Sequence, residues 1–170
     1  GTKLPELPRF GMRMELHQPY ENLTYYGRGP FENYIDRYSG AFIGRYEDKV
    51  ENQFYWYIRP QETGNKTDVR WLTLLDNGGL GVKITGLQPI SFSALHFSPE
   101  DLDPGLTRKL QHTIDIVPQK NIFLHVDLKQ RGLGGDNSWG MYPHNEYRLL
   151  DKKYTYSYMI ELVEKGSDKN

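Results

Sequence analysis

The sequence predicts an all-β fold of antiparallel strands, and three observations favour this class. Apolar and polar residues alternate with a period of two over several segments, which is typical of half-buried strands. Turn signals separate these segments at short intervals, as in a sandwich of short strands. Aromatic residues make up 14% of the 170 residues and include 13 tyrosines. Tyrosine and tryptophan are enriched in sheets.

The strand candidates occupy residues 10–17, 22–26, 54–58, 69–75, 80–85, 90–97, 110–117, 122–128, 145–150 and 154–162. Residues 76–79, Asp-Asn-Gly-Gly, give the strongest hairpin signal because asparagine and glycine tolerate a positive φ. We expect residues 145–150 to pair with the last strand. Ser98 followed by Pro99 and two acidic residues predicts a short capped helical turn.

Two long stretches, residues 27–53 and 131–144, show few alternating positions and are predicted to be irregular. Such long loops within a compact domain are usually functional or contact another domain. The domain assignment is a leading linker at residues 1–6, one domain at 7–164 and a polar tail at 165–170. We expect this tail to be frayed.

Composition excludes several classes of function. The 21 basic and 22 acidic side chains nearly balance, so neither nucleic acid nor a membrane is an expected partner. The chain has no cysteine, which excludes disulfides and thiolate chemistry and leaves the cellular compartment open. The five histidines are scattered, and we predict no metal site. His125 and Asp127 share a predicted strand face, where we expect a satisfied surface pair.

The first motif covers residues 26–37, Tyr-Gly-Arg-Gly-Pro-Phe-Glu-Asn-Tyr-Ile-Asp-Arg. Glycines flank Arg28 and predict a sharp turn there. Glu32, Asp36 and Arg37 are close enough in sequence to form a local ion-pair network. An alternative makes Glu32 and Asp36 the acid and nucleophile of a glycosidase. The neighbouring arginines favour the structural interpretation.

The second motif is the polar loop at residues 60–66, Pro-Gln-Glu-Thr-Gly-Asn-Lys. We predict a turn with Gly64 or Asn65 at positive φ. A role for Gln61, Glu62 and Asn65 in contacting sugar or another domain is an alternative that spacing alone does not favour.

The third motif, residues 131–140, reads Arg-Gly-Leu-Gly-Gly-Asp-Asn-Ser-Trp-Gly. It does not fit a phosphate-binding loop, because neither a helix pattern nor a Gly-Lys-Ser/Thr ending follows. It fits a flexible loop that presents Trp139 and is braced by Asp136 and Asn137. Aromatic faces bind the apolar face of a pyranose while polar neighbours bind its hydroxyls. The alternative is that Trp139 fills a domain interface.

Together the motifs resemble the C-terminal β-sandwich domain of lacZ-type β-galactosidases of glycoside hydrolase family 2. The matching segments keep the family's order from Leu7 to about Val163. They are Leu7-Pro8-Arg9-Phe10-Gly11; Gly27-Arg28-Gly29-Pro30 with Glu32, Asn33, Tyr34, Asp36 and Arg37; Pro60-Gln61-Glu62-Thr63-Gly64; and Gly132, Gly134, Gly135, Asp136, Ser138 and Trp139.

This resemblance implies a galactose mutarotase-like antiparallel supersandwich. In the family this domain packs against a (β/α)-barrel that holds both catalytic glutamates, Mg²⁺ and a monovalent cation. We therefore expect no catalytic residue and no cofactor in this chain. The resemblance also implies that Trp139 reaches the active-site mouth, on the aglycone side, with Asp136 and Asn137 shaping its loop.

The implied partners are a β-galactoside, the other domains of a parent enzyme, and further copies of that parent in a homo-oligomer. The family's sandwich begins upstream of this chain, so we expect the second part of a domain, with an unpaired edge or an uncovered face. A purely structural and assembly role is also open and is compatible with this assignment. Two other functions stay open. One is a free-standing carbohydrate-binding module. The other is an aldose epimerase with a Glu base and a His acid, drawn from Glu32, Glu62, His96, His112 and His125.

Overall fold

The computed structural model describes residues 6–103, 105, 111–137 and 139–164. Its described part contains seven strands, a single-turn α-helix and three 3₁₀ turns. The strands are β1 (Arg9–Leu16), β2 (Asn22–Gly29), β3 (Phe42–Lys49), β4 (Lys66–Leu75), β5 (Gly81–Leu95), β6 (Ile122–Gln130) and β7 (Tyr158–Val163). The helix is α1 (Pro99–Leu102), and the 3₁₀ turns are Val50–Asn52, Thr113–Asp115 and Asn145–Tyr147. Every strand pairing is antiparallel, which confirms the predicted all-β class.

One sheet contains all seven strands in the order β1-β6-β5-β4-β2-β3, with β7 also paired to β5. The 15-residue strand β5 joins the two parts of this sheet. Its residues 81–86 pair with β7, whereas residues 91–95 pair with β6. Side chains from both parts form one apolar cluster, so the sheet encloses a core in a sandwich-like way. This core contains Leu23, Tyr25, Val50, Val69, Leu72, Leu74, Ile84, Ile90, Phe92, Ala94, Ile122, Leu124 and Val126.

Local signals are confirmed where a turn or cap has its own chemistry. The predicted hairpin joins β4 to β5, with the Asp76 amide donating to the Leu80 carbonyl at 2.8 Å and Gly79 at φ 86°. The predicted capped turn is α1, where the Ser98 hydroxyl accepts from the Asp101 amide at 3.1 Å. Both elements depend on contacts within a few residues, which sequence reasoning can see.

Several strand predictions are wrong. Residues 54–58 form no strand, because Phe54 and Trp56 instead pack edge-on at 4.9 Å in a separate aromatic cluster. The described part of 110–117 is a 3₁₀ turn with flanking coil, and Leu110 lies outside the described residues. Residues 145–150 do not pair with the last strand, because Leu149 bridges to Leu7 and β7 pairs with β5.

The predicted irregular stretch 27–53 contains a strand, β3. Its residues are mostly exposed on both faces, so no alternation marks it. The turn predicted around Arg28 is also wrong, since Gly27 and Gly29 lie within β2. Their missing side chains permit close contact instead. A Cβ on Gly27 would lie 2.6 Å from the Val69 side chain, and one on Gly29 would lie 2.1 Å from the Tyr25 hydroxyl oxygen.

In the described residues, β1, β3 and β7 each pair with one strand only. Phe42 on β3 and Leu162 on β7 are strongly exposed. Exposed apolar side chains on sheet edges favour packing by further chain segments. Over the same residues, the helices are too short or too polar to cross a bilayer.

Candidate functional site

The three sequence motifs lie close together in the fold. We call residues 30–37 the acidic turn, residues 60–64 the Pro-Gln-Glu turn and residues 131–140 the Gly-rich loop. The acidic turn follows β2, the Pro-Gln-Glu turn precedes β4, and the Gly-rich loop follows β6. Hydrogen bonds join the acidic turn to each of the other two segments.

Glu32 joins the acidic turn to the Pro-Gln-Glu turn. One carboxylate oxygen accepts from Arg37 at 2.6 Å and also from the Tyr57 hydroxyl. The other accepts from the Thr63 hydroxyl at 2.9 Å and the Gly64 amide at 2.7 Å. The predicted ion pair with Arg37 therefore forms. Because both oxygens are already engaged, the geometry favours a structural role over that of a glycosidase acid.

Asn33 is fully buried beneath the same turn, at 0% exposure. Its amide oxygen accepts from the Thr67 amide at 2.9 Å and the Thr67 hydroxyl at 2.6 Å. Its amide nitrogen donates to the carbonyls of Arg28 and Phe31 at 3.1 and 3.0 Å. A single side chain thus satisfies buried backbone groups of two neighbouring segments.

Tyr34 closes the acidic turn. Its backbone exchanges two hydrogen bonds with Arg37, at 3.2 and 2.7 Å. Its ring is buried, and burial raises the pKa of its phenol above the ordinary value. At the start of the turn, the Pro30 carbonyl accepts from the Tyr25 hydroxyl at 3.3 Å. The turn is therefore anchored on the core at both ends.

In the Pro-Gln-Glu turn, Gly64 has a positive φ of 79°, one of the two positions predicted for it. Glu62 accepts from Arg9 of β1 at 3.0 Å. Burial raises the pKa of Glu62, and the positive charge of Arg9 opposes this rise. Arg9 also donates to Gln130 at 2.6 Å, so it holds this turn to β6.

His125 and Asp127 do not form the predicted surface pair. Asp127 is only 1% exposed and lies 3.5 Å from the Nε of Arg9. Burial raises the pKa of Asp127 to about 6 and lowers that of His125 to about 4. Neutral His125 can accept from Arg9, whose Nη1 lies 2.6 Å from its Nδ1. The alternation of β6 indicated a shared face, but it did not show that Arg9 and the Pro-Gln-Glu turn pack against this face.

Of the three histidines considered for the epimerase alternative, His125 lines a cavity together with Glu62, whereas His96 and His112 form other contacts. His96 lies 2.9 Å from Glu21, away from Glu32 and Glu62 in the hydrogen-bond network. His112 precedes the 3₁₀ turn Thr113–Asp115, and its backbone amide donates to Asp115. Across the described ranges, no group of three or more acidic or histidine side chains is arranged to hold a metal ion.

Lys66 is a buried cation that sequence reasoning missed. It is 2% exposed, and its Nζ donates to the Gln53 side-chain oxygen at 2.9 Å and the Gly64 carbonyl at 3.2 Å. Burial lowers its pKa from 10.5 to about 8. No local pattern predicts this position, because it depends on how the Pro-Gln-Glu turn folds over the start of β4.

Replacing Lys66 by methionine is expected to remove a pH dependence of stability. Between about pH 8 and 10.5, the unfolded chain holds a proton that the folded chain has already released. The free energy of unfolding therefore rises through this window, by about 3 kcal/mol for this one group. Urea unfolding at pH 8, 9 and 10 should show that the free energy of unfolding of the native chain increases relative to that of Lys66→Met as the pH rises, because the tyrosines contribute equally to both proteins. Parallel curves for the two proteins would contradict the assignment.

The Gly-rich loop is fixed by close contacts at its glycines. The Gly134 amide donates to Asp36 Oδ2 at 2.7 Å. A Cβ on Gly132 would lie 2.6 Å from the Asp36 carboxylate carbon, and one on Gly135 would lie 2.3 Å from the Met141 carbonyl oxygen. The prediction of a flexible loop did not include these contacts of its glycines. They leave space for Asp36 and for the returning chain.

The indole of Trp139 projects from this loop and is 92% exposed. Its backbone amide donates to the Asn137 side-chain oxygen at 2.9 Å. Asp136 lies 2.8 Å from His144 Nε2 and thereby raises the pKa of that histidine. Asp136 and Asn137 thus bind within the loop and its return segment, while Ser138 lies outside the described residues.

An open depression of about 620 Å³ lies beside the loop. Tyr142 forms part of it, and the guanidinium of Arg148 lies 4.8 Å from the centre of that ring. Arg148 in turn donates to Glu6 at 2.7 Å. The depression therefore combines an aromatic face with polar side chains, a combination that suits a polar ring-shaped ligand.

Comparison with known proteins identifies the family. A family model described as "Beta galactosidase small chain" matches residues 2–160. A β-galactosidase of Priestia megaterium is 38% identical over 159 residues, which is 93% of this chain and 15% of the relative. A β-galactosidase of Streptococcus thermophilus is 37% identical over 160 residues, which is 93% of this chain and 15% of the relative. A β-galactosidase of Bifidobacterium adolescentis is 36% identical over 149 residues, which is 86% of this chain and 14% of the relative.

These relatives carry the name β-galactosidase, and the chain spans about 15% of the length of the first two. The family model covers nearly the whole chain, including all three motifs. The chain belongs to the β-galactosidase small-chain family.

Proposed function

We propose that this chain is the C-terminal sandwich portion of a longer lacZ-type β-galactosidase of glycoside hydrolase family 2, and that Trp139 contacts the substrate. The observation that carries this proposal is the indole, which is 92% exposed at the end of a loop whose glycines are held in place. An exposed indole on a fixed loop offers a flat apolar face to the C–H face of a pyranose. The substrates would be terminal β-D-galactosides such as lactose.

In this proposal the chemistry belongs to the rest of the parent enzyme. A retaining glycosidase uses one carboxylate as acid and base and another as nucleophile. Glu32 is engaged by four donors, and Glu62 is paired with Arg9, so neither carboxylate is free for this work. Mg²⁺ and a monovalent cation would bind in the barrel portion. The chain by itself is expected to be inactive.

The contribution of this chain is to bind and orient the sugar or its aglycone. Trp139 would stack on the ring, while Asp136 and Asn137 hold the loop that carries it. The other proposed partners are the remaining domains of the parent and further copies of it in a homo-oligomer. The exposed Phe42 and Leu162 on sheet edges support such packing.

Replacing Trp139 by alanine in the full-length enzyme is expected to raise KM for lactose more than it changes kcat. Loss of one stacking face costs about 1–2 kcal/mol, or roughly 5- to 30-fold. Steady-state kinetics on lactose would measure the effect. Trp56→Ala is the matched control, because Trp56 is also exposed but packs on Phe54 and Phe97. An unchanged KM in Trp139→Ala would remove the substrate-contact proposal.

A further inference from the structure

We infer that Asp36 is a positioning residue that holds the Gly-rich loop, and with it Trp139, in the arrangement that binds substrate. This inference rests on the proposed function, because it assigns a residue that acts through Trp139. Asp36 and Gly134 are 98 residues apart in sequence, and their hydrogen bond connects the acidic turn directly to the loop.

The acidic turn gives Asp36 a fixed base. The residues before Asp36 are held by the four bonds to Glu32 and the four bonds of the Asn33 side chain. The residue after it, Arg37, exchanges backbone hydrogen bonds with Tyr34. The backbone on both sides of Asp36 is therefore held by contacts that do not involve the loop.

The loop is shaped to receive this carboxylate. Gly132 and Gly134 both border it, and a Cβ on Gly132 would overlap the carboxylate carbon. The Gly134 amide then donates a charge-assisted hydrogen bond of 2.7 Å. Upstream, the Gly132 amide donates to the Tyr147 carbonyl at 2.8 Å. Asp36 is thus the contact that fixes the middle of the glycine run, before the chain reaches Trp139.

The other carboxylate oxygen suggests that Asp36 contributes little to folding stability. Oδ1 is buried and accepts no hydrogen bond from the residues described. When only one carboxylate oxygen accepts a hydrogen bond, the desolvation cost of burying the group offsets the gain from that single bond to the amide. Loss of Asp36 should therefore affect loop position more than it affects unfolding.

Without Asp36 the three glycines regain a wide choice of backbone conformations. Trp139 would then occupy its binding position for only a fraction of the time. The apparent dissociation constant rises by the inverse of that fraction, so substrate binding weakens while the bound state stays the same. The expected signature is a raised KM with kcat nearly unchanged.

The test is a double-mutant cycle in the full-length enzyme, with Asp36→Ala, Trp139→Ala and the double variant assayed on lactose. We expect Asp36→Ala to raise KM at least fivefold, and the double variant to be no worse than Trp139→Ala. Asp36→Asn keeps an acceptor for the Gly134 amide and should restore much of the affinity. Asp151→Ala, at an exposed aspartate before β7, is the matched control and should leave KM unchanged.

A second readout does not depend on sugar. In protein labelled with 5-fluorotryptophan, the ¹⁹F resonance of Trp139, identified with Trp139→Phe, should shift or change width in Asp36→Ala, whereas the thermal midpoint should stay within a few degrees. An unchanged resonance, or multiplicative effects of the two substitutions on KM, would overturn the inference. If Trp139→Ala leaves KM unchanged, the proposed function fails, and the ¹⁹F result alone then decides whether Asp36 positions the loop.

Discussion

Replacing Asn33 by alanine is expected to lower the free energy of unfolding by about 4 kcal/mol. The substitution leaves the Thr67 amide and hydroxyl without their acceptor, and the carbonyls of Arg28 and Phe31 without their donor. Each buried polar group left unsatisfied costs about 1–3 kcal/mol, and water entering the new space recovers part of that. Urea unfolding of the 170-residue chain measures the loss.

The matched control is Asn52→Ala. Asn52 is exposed, and its side chain donates to Asp48 at 2.8 Å. Water can replace that bond, so we expect a loss of less than about 1 kcal/mol. Similar losses at Asn33 and Asn52 would mean that the buried network beneath the acidic turn does not hold the motifs together.

Glu32→Ala is expected to be the second large effect, with a loss of about 3 kcal/mol. The Glu32 side chain is 10% exposed, so its carboxylate is mostly desolvated. Most of the loss should come from the Thr63 hydroxyl and the Gly64 amide, which lose their acceptor. The bond to Arg37 should contribute less, because the Arg37 side chain is more than half exposed.

Glu47→Ala tests whether burial, and not the ion pair, causes the effect. Glu47 forms an ion pair with Arg45 at 2.6 Å, the same distance as between Glu32 and Arg37. The side chains of Glu47 and Arg45 are both more than 60% exposed. Exposed pairs contribute about 0–1 kcal/mol, so Glu47→Ala should cost much less than Glu32→Ala. Equal costs in the two variants would contradict the role given to Glu32.

Sequence reasoning predicted those elements that local chemistry defines. The β4–β5 hairpin depends on residues 76–79, and α1 depends on Ser98 and Pro99, so their signals are complete within a short window. Strand β3 was not predicted, because it lies at a sheet edge with most of both faces exposed and therefore lacks the alternation of apolar and polar residues. Residues 54–58 were wrongly predicted as a strand, because their aromatic composition favours strands although they pair with no other strand.

The residues of the candidate site could be predicted from the sequence, but the contacts between them could not. The sequence pointed to an exposed tryptophan after a glycine run, and the exposure of Trp139 agrees with that expectation. It did not show that Gly132 and Gly134 border the carboxylate of Asp36, because Asp36 lies almost 100 residues away in sequence. The burial of Lys66 was not predicted for the same reason, since it depends on contacts that no local pattern encodes.

Under the proposed function, a bound galactoside covers the Trp139 indole. Hydroxyl-radical footprinting of the full-length enzyme, read by mass spectrometry with and without isopropyl β-thiogalactoside, tests it most directly. Trp139 is the more exposed indole and Trp56 serves as the internal reference. We expect the galactoside to lower oxidation of Trp139 severalfold and to leave oxidation of Trp56 unchanged. Equal oxidation of Trp139 with and without the galactoside would contradict it.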